Sequence, residues 1–272
     1  MSKVNFEVKK FASGEWDVKI IDRIYDTAII HWNWFDENQR DLMLLLMKIG
    51  AIRRQYGYKM TIKIYAPYLP YSRQDRMFEC GQDIPIETLI DCISIEQRRG
   101  IYGPGDVYIE TMGIHCDDRY ACNTLKYTLE LNEVKQKNTM IVFPDKNAKN
   151  HYEIDYCTEQ NIINFEKIRK NNEIYLSLIN ENVTSRINHF IICDDICSGG
   201  RTFIECANKL RELYGNDITI ELMVYHAFLD RGLDKLKESG ISRIRIINPD
   251  SYEYICKLYP DDLNYFKKEE LK

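Results

Sequence analysis

Short apolar runs rich in β-branched residues alternate with longer segments in which apolar residues recur every three or four positions. The runs predict strands, and because several are apolar at every position, they are typical of a parallel sheet covered on both faces. These runs lie at 60–65 (MTIKIY), 139–143 (TMIVF), 190–193 (FIIC), 218–225 (ITIELMVY) and 244–247 (IRII).

The intervening segments predict amphipathic helices. Their apolar positions are Leu42, Leu45, Ile49 and Ile52 in one helix and Phe203, Ala207, Leu210 and Tyr214 in another. Further helices are predicted after Pro85 and around Leu125 and Leu129. The alternation indicates an α/β protein whose mainly parallel sheets are flanked by helices.

Two polar stretches interrupt this pattern. Residues 132–138 (NEVKQKN) predict a boundary between domains at 1–135 and 136–272. Residues 164–182 are polar with weak periodicity, and we expect a mobile loop with a short strand or helix there.

Composition narrows the class of protein further. The net charge of −5 argues against a nucleic-acid or anionic-membrane partner. The longest dense apolar run, residues 42–47, is far too short to cross a bilayer, and the first residues do not resemble a signal peptide. The nine cysteines are an odd number without zinc-site spacing, so we expect free thiols in a reducing, cytoplasmic environment.

The segment 191–203 (IICDDICSGGRTF) carries the clearest chemistry. An apolar strand runs into Asp194 and Asp195, where open α/β sheets bind ligands. Paired carboxylates can accept hydrogen bonds from two ribose hydroxyls or help to hold Mg²⁺. A small-residue turn then opens a helix, where free N–H groups and the helix dipole favour a phosphate. The residues of this turn are Ser198, Gly199, Gly200, Arg201 and Thr202.

This order of residues resembles the ribose-5-phosphate loop of the type I phosphoribosyltransferase fold. That fold is shared by phosphoribosyltransferases and by ribose-phosphate pyrophosphokinases, the PRPP synthetases. The resemblance implies two phosphoribosyltransferase-like domains. It also implies that Asp194 and Asp195 bind the ribose hydroxyls and that residues 198–202 bind the 5-phosphate.

The first half of the chain resembles the synthetases in particular. Residues 66–93 contain RQDR, and the resemblance implies that Arg73, Gln74 and Arg76 bind ATP phosphates. Residues 11–20 (FASGEWDVKI) resemble the segment in which Phe11 and Glu15 would contact adenine, with Ser13 in place of the usual Asp. In the family that contact comes from a neighbouring subunit, which implies a homo-oligomer with the ATP site at a subunit interface.

The resemblance also implies the catalytic and metal residues. Lys167 and Arg169 correspond to the catalytic flexible loop, and two cations suit a transferring diphosphoryl group. His115 and Asp145 correspond to the residues that bind Mg²⁺. The chain departs from the family's pattern at Gly113, Asn147, Ala148 and His151, which stand where an Asp, two Gly and an Arg are usual.

These features predict a ribose-phosphate diphosphokinase that makes PRPP and AMP from ATP and ribose 5-phosphate. Two alternatives stay open at this point. A phosphoribosyltransferase that consumes PRPP and a base would use the same Asp-Asp turn, but it has no need of the RQDR loop. An inactive synthetase-like regulatory protein would fit the four departures, but it has no reason to keep Asp194, Asp195, Lys167 and Arg169 together.

Overall fold

A computed structural model describes most of the chain as two compact units, Met1–Leu125 and Lys126–Lys272. The sequence places the boundary between residues 135 and 136. The described residues are 2–57, 59–74, 77, 80, 82–98, 107–112, 122–129, 138–154, 161–170, 173–180, 187–229 and 232–270. None of the helices in these ranges is long and apolar enough to cross a membrane.

The first unit is built on a five-stranded parallel sheet of order β1-β4-β5-β6-β7, accompanied by an antiparallel hairpin of β2 and β3. Its strands are β1 Ser2–Lys3, β2 Phe6–Lys10, β3 Trp16–Ile20, β4 Thr27–His31, β5 Thr61–Tyr65, β6 Val107–Met112 and β7 Cys122–Leu125. Its helices are α1 Leu42–Tyr56 and α2 Pro85–Arg98. The Asp41 side chain caps α1 by accepting from the Met43 N–H at 2.8 Å, and the helix ends at Gly57, whose φ is 78°.

The second unit is built on a seven-stranded sheet of order β12-β11-β9-β13-β14-β15-β16, in which only the β11–β12 pair among these strands is antiparallel. Its strands are β8 Tyr127–Leu129, β9 Thr139–Phe143, β10 Tyr152–Ile154, β11 Ile162–Lys170, β12 Glu173–Asn180, β13 His189–Cys197, β14 Thr219–Ala227, β15 Ile241–Ile246 and β16 Phe266–Lys268. Its helices are α3 Lys146–Asn150, α4 Arg201–Tyr214, α5 Leu233–Glu238 and α6 Pro249–Leu258, followed by a 3-10 segment Pro260–Tyr265. Strands β8 and β10 form a separate parallel pair.

The predicted α/β class with parallel sheets is confirmed, and all five predicted strands are present. The strand predicted at 139–143 has the same bounds as β9, and every one of its residues is buried. The strand predicted at 190–193 is longer in the structure, because β13 continues through the two acids to Cys197. It continues because Ile196 and Cys197 still pair with His226 and Ala227 of β14.

Two predictions from periodicity are wrong. The expected helix around Leu125 and Leu129 is instead the two strands β7 and β8. The leucines fit a helical spacing, but Thr124, Tyr127 and Thr128 are of the β-branched and aromatic types that favour strands, and β7 pairs in parallel with β6. The segment expected to hold a mobile loop with a short strand or helix instead contains most of two long strands, the antiparallel pair β11–β12, which extends the sheet beyond β9.

A buried ion pair attaches the last strand, β16, to the edge of the sheet. The Arg245 side chain is 3% exposed, and its Nε donates to Glu269 Oε1 at 2.7 Å. Lys267 also lies 2.9 Å from that oxygen. Burial alone would raise the pKa of Glu269, but the hydrogen bonds from Arg245 and Lys267 outweigh it and lower the pKa.

We therefore expect Glu269→Ala to lower the free energy of unfolding by about 3 kcal/mol, because Arg245 stays buried after losing the carboxylate to which its Nε donates. Urea unfolding at neutral pH measures this change. Glu270→Ala is the matched control, since Glu270 is exposed and its loss should change stability by less than about 0.5 kcal/mol. Equal effects of the two substitutions would contradict the role of the ion pair.

Candidate functional site

Two carboxylates stand near the carboxyl end of β13, inside the second unit. Asp194 and Asp195 are half-buried, and their backbones continue the β13 ladder, with Asp194 opposite Val224 of β14. The Asp195 N–H donates to Asp194 Oδ1 at 2.9 Å, and the Ile196 N–H donates to Asp195 Oδ1 at 2.7 Å. Each carboxylate is thus oriented by the amide of the next residue along the chain.

The hydroxyl of a buried tyrosine, Tyr152, forms hydrogen bonds to the backbone at this end of β13 and to that of β14. The Tyr152 hydroxyl lies 2.8 Å from the carbonyl oxygen of Asp194 and 2.9 Å from that of Met223, so its proton is held between β13 and β14. Burial raises the pKa of Tyr152 well above its ordinary value, which keeps the hydroxyl a donor. Tyr225 makes a similar bond, from its hydroxyl to the carbonyl oxygen of His151 at 2.6 Å.

The turn after β13 has the tight form that its glycines predict. Gly200 starts α4 in the left-handed region with φ of 75°, where a side chain is disfavoured. A Cβ on Gly200 would also lie 2.9 Å from Cδ2 of the buried Leu236. The segment before α5 packs closely on the same turn, because a Cβ on Gly232 would come within 3.1 Å of the Gly199 backbone.

The turn leaves its polar groups accessible to a ligand. Ser198, Gly199 and Arg201 are exposed, and Thr202 is partly exposed in the first turn of α4. Gly200 has no side chain that could cap the start of α4. This is the arrangement by which helix N-termini bind phosphates.

A third carboxylate, Asp145, lies close enough to act on Asp194 electrostatically. It caps α3, and its Oδ1 accepts from the N–H groups of Asn147 at 2.9 Å and Ala148 at 3.0 Å. The residues in place of the family's usual Gly-Gly therefore form a short helical turn, in which Ala148 is buried. The backbone bonds occupy Oδ1 and leave Oδ2 for a cation.

The negative charge of this cluster acts chiefly on Asp194. Removal of its carboxyl from water raises the pKa of Asp194 well above the ordinary 3.8, and the charges of Asp195 and then Asp145 raise it further.

A hard cation would relieve this repulsion. Within the described ranges no three acidic, His or Cys side chains form a cluster that could hold a metal unaided. Mg²⁺ commonly binds through one or two carboxylates and completes its shell with water and substrate phosphates, so the residues present fit it.

The candidate nucleotide residues of the first unit lie on turns. Phe11 and Glu15 flank the hairpin turn between β2 and β3, where the Phe11 N–H donates to the Glu15 carbonyl at 2.8 Å. Phe11 is 45% exposed, and Glu15 is exposed. Ser13, in place of the usual Asp, donates from its hydroxyl to Glu15 Oε2 at 2.8 Å.

Arg73 and Gln74 are exposed after a tight turn at Tyr71, whose carbonyl accepts from the Gln74 N–H at 2.8 Å. Tyr71 itself has φ of 64°, which is uncommon for a non-glycine residue. Arg76 and His115, together with Gly113, lie outside the described residues. Lys167 and Arg169 lie on β11, opposite Leu176 and Ile174 of β12. The side chains of Lys167 and Arg169 lie outside the part of the chain that the structure describes.

Three supporting residues could not be identified directly from the sequence. Tyr152, Gly232 and Leu236 hold the acidic strand end and the turn in place, but they come from segments far along the chain from residues 194–202. For Gly232 the sequence does carry one signal, because a glycine directly before a helical segment indicates a turn. For Tyr152 no local pattern separates it from an ordinary core tyrosine.

Comparisons with known proteins point to one family of enzymes. Residues 1–95 match the family model for the N-terminal domain of ribose phosphate pyrophosphokinase. The chain is 26% identical to the ribose-phosphate pyrophosphokinase of Pyrococcus abyssi, over 90% of this chain and 84% of that protein. It is 28% identical to that of Pyrococcus furiosus, over 86% and 82%. The phosphoribosylpyrophosphate synthetase of Mycobacterium smegmatis shares the fold, with a TM-score of 0.64 over 98% of this chain and 86% of that one, at 16% identity. The resemblance predicted from the sequence is confirmed.

Gly200 and Gly199 are adjacent, but only Gly200 of the two has a positive φ, so substituting each in turn isolates the effect of that conformation on stability. We expect Gly200→Ala to lower the free energy of unfolding by about 1–3 kcal/mol, because the new Cβ is strained at positive φ and displaces Leu236. Gly199→Ala is the matched control: its Cβ would meet nothing within 4 Å, and its φ is not positive. Chemical denaturation of both variants measures the difference, and comparable losses at the two glycines would contradict this account.

The raised pKa of Asp194 predicts a pH-dependent stability. The folded protein holds this proton more tightly than the unfolded chain, so stability is lost as the pH rises from about 4 through the raised folded-state pKa. Without metal, we expect Asp194→Asn to be more stable than the parent protein above this window and no more stable below it. Urea unfolding in EDTA across the pH range measures this difference. Asp217→Asn, at an exposed carboxylate, serves as control and should track the parent.

Proposed function

We propose that this protein is a ribose-phosphate pyrophosphokinase, which transfers the diphosphoryl group of ATP to the C1 hydroxyl of ribose 5-phosphate. The observation that carries the proposal is the Asp194–Thr202 segment: its acids, its positive-φ glycine and its open helix start are all present. They occur in a chain that aligns with pyrophosphokinases over about nine-tenths of its length.

The turn binds the 5-phosphate of the sugar. The exposed N–H groups at the start of α4 donate to the phosphate oxygens, and the hydroxyls of Ser198 and Thr202 add two further donors. Arg201 contributes positive charge. Gly200 is required here because its left-handed backbone opens the turn while α5 packs beneath it.

The carboxylates orient the ribose ring. Asp194 and Asp195 accept hydrogen bonds from its two cis hydroxyls, and the amides of Asp195 and Ile196 fix the carboxylates for this purpose. Asp145, with His115, would hold Mg²⁺. When bound, Mg²⁺ neutralises the charge of these phosphates and of the acidic cluster.

The first unit supplies the nucleotide contacts. Arg73, Gln74 and Arg76 bind the ATP phosphates, for which planar guanidinium groups are well suited. Phe11 stacks on adenine and Glu15 accepts from its amino group. Both residues lie at the tip of the β2–β3 hairpin and are exposed, so they are available to the ATP of a neighbouring subunit in the homo-oligomer that the family resemblance implies.

Catalysis depends on positioning and charge rather than on a covalent nucleophile. The C1 hydroxyl oxygen forms a bond to the β-phosphorus as the bond between that phosphorus and the oxygen bridging to the α-phosphate breaks. The hydroxyl proton is lost, and AMP leaves with the bridging oxygen. Lys167 and Arg169 stabilise the charge that develops on the transferring group, the largest contribution a protein makes to this type of reaction.

The test is a product assay by phosphorus NMR with purified protein, ATP, Mg²⁺ and ribose 5-phosphate. We expect AMP and PRPP in equal amounts, and no AMP when the sugar phosphate is omitted. The appearance of ADP, or of AMP without PRPP, would contradict the proposal.

Lys167→Ala, prepared in the same way, is the control for contaminating activity. Removing one transition-state cation should lower turnover at least a hundredfold and leave ATP affinity nearly unchanged. If the variant turned over at the rate of the parent protein, the activity would belong to a contaminant or Lys167 would have no catalytic role.

A further inference from the structure

A cavity of about 500 Å³ lies in the first unit, between the β2–β3 hairpin, the end of β4 and the face of α1. Its volume falls within the range of sites that hold small organic molecules. The proposed reaction uses none of its lining residues. The lining combines aromatic rings, amide side chains and lysines, which is an unusual mixture for a plain packing defect.

The side chain that stands out in this cavity is Lys48 of α1. The residue is 9% exposed, and within the described part of the chain its ammonium forms no salt bridge. Lys48 Nζ lies over the Phe6 ring, 5.5 Å from its centroid. Burial lowers the pKa of Lys48, the carboxylate of Asp36 raises it, and the charge of Lys3 lowers it again.

Among the described residues, Lys48 Nζ is not one of the fully buried side-chain atoms that lack a hydrogen-bond partner, so the ammonium is open to the cavity that it lines. An anion in the cavity can therefore reach it and add to the attraction that Asp36 already provides. The other charges around the cavity favour the anion. Lys3 and Lys10 are exposed at its lining, against the single carboxylate Asp36 among the described lining residues. Asp36 is already engaged, because the Gln39 amide donates to it at 2.6 Å and the Asn38 N–H at 2.9 Å.

The walls of the cavity select for a flat ligand. Trp16 is fixed by its indole N–H, which donates to Asp41 Oδ2 at 2.8 Å, and Lys10 covers its ring with Nζ 4.7 Å from the centroid. Phe6 lies on the neighbouring strand, and Ile30 and Leu44 complete an apolar floor. Rings of this kind bury planar groups, and the amides of Asn5 and Asn38 provide polar contacts at the edge.

We propose that this cavity is a second ligand site, which binds a small planar organic anion with its charge on Lys48 and its ring between Phe6 and Trp16. The anionic group replaces water at the Lys48 ammonium and gains a charge-assisted hydrogen bond. Such a bond in a partly desolvated site exceeds a neutral one severalfold to more than tenfold in affinity.

Isothermal titration calorimetry of the full chain with naphthalene-2-carboxylate tests the proposal. Its neutral analogue, naphthalene-2-carboxamide, has the same shape without the charge. We expect a dissociation constant below about 1 mM for the acid and at least tenfold weaker binding of the amide. The acid should also shift the NMR signal of the Trp16 indole N–H, identified by its absence in Trp16→Phe.

Lys48→Met keeps the length and apolar stem of the side chain and should weaken binding of the acid at least tenfold. Lys19→Met is the matched control, because Lys19 is exposed on β3 and does not line the cavity. The proposal is overturned if the acid does not bind, if acid and amide bind equally, or if Lys48→Met binds as the parent does. Should Lys48→Met fail to fold, the acid–amide comparison on the parent protein decides.

Discussion

The second unit is organised around repulsion among carboxylates at one end of a parallel sheet. Asp194, Asp195 and Asp145 follow or end strands that run in the same direction, so their side chains meet at one edge. Burial, and then the charges of Asp195 and Asp145, raise the pKa of Asp194 and cost stability when the carboxylate is charged. The Tyr152 hydroxyl and the pairing with β14 hold this end of the strand in place.

The turn that follows β13, which we propose binds phosphate, is shaped by its backbone rather than by side chains. Gly200 takes a conformation closed to other residues, and α5 packs so tightly beneath the turn that no Cβ fits at Gly200 or easily at Gly232. The neighbouring residues of the turn, Ser198, Gly199 and Arg201, are exposed. Any other residue would be strained in this conformation, but glycine is not, and the start of the helix stays open.

The first unit uses its charges differently. Its exposed arginine and hairpin residues suit a large polyphosphate ligand, whereas the cavity beside α1 encloses a lysine among aromatic rings. Helix α1 buries two basic residues, Lys48 and Arg53, and of these two Lys48 lines the cavity. Departures of this kind from the regular pattern are expected where a protein binds something.

The sequence by itself determined the class of fold, the central strands and the residues of the ribose-phosphate turn, because buried strands, glycine turns and adjacent acids leave strong local patterns. Tertiary structure decided what such patterns do not encode. Pairing with β6 made strands of the segment around Leu125, and pairing with β9 made a strand of the segment that carries Lys167 and Arg169. Only the folded chain brought Tyr152 beneath Asp194, Leu236 beneath Gly200 and Phe6 over Lys48, because each contact joins residues that are distant in sequence and is formed only once the sheets have assembled.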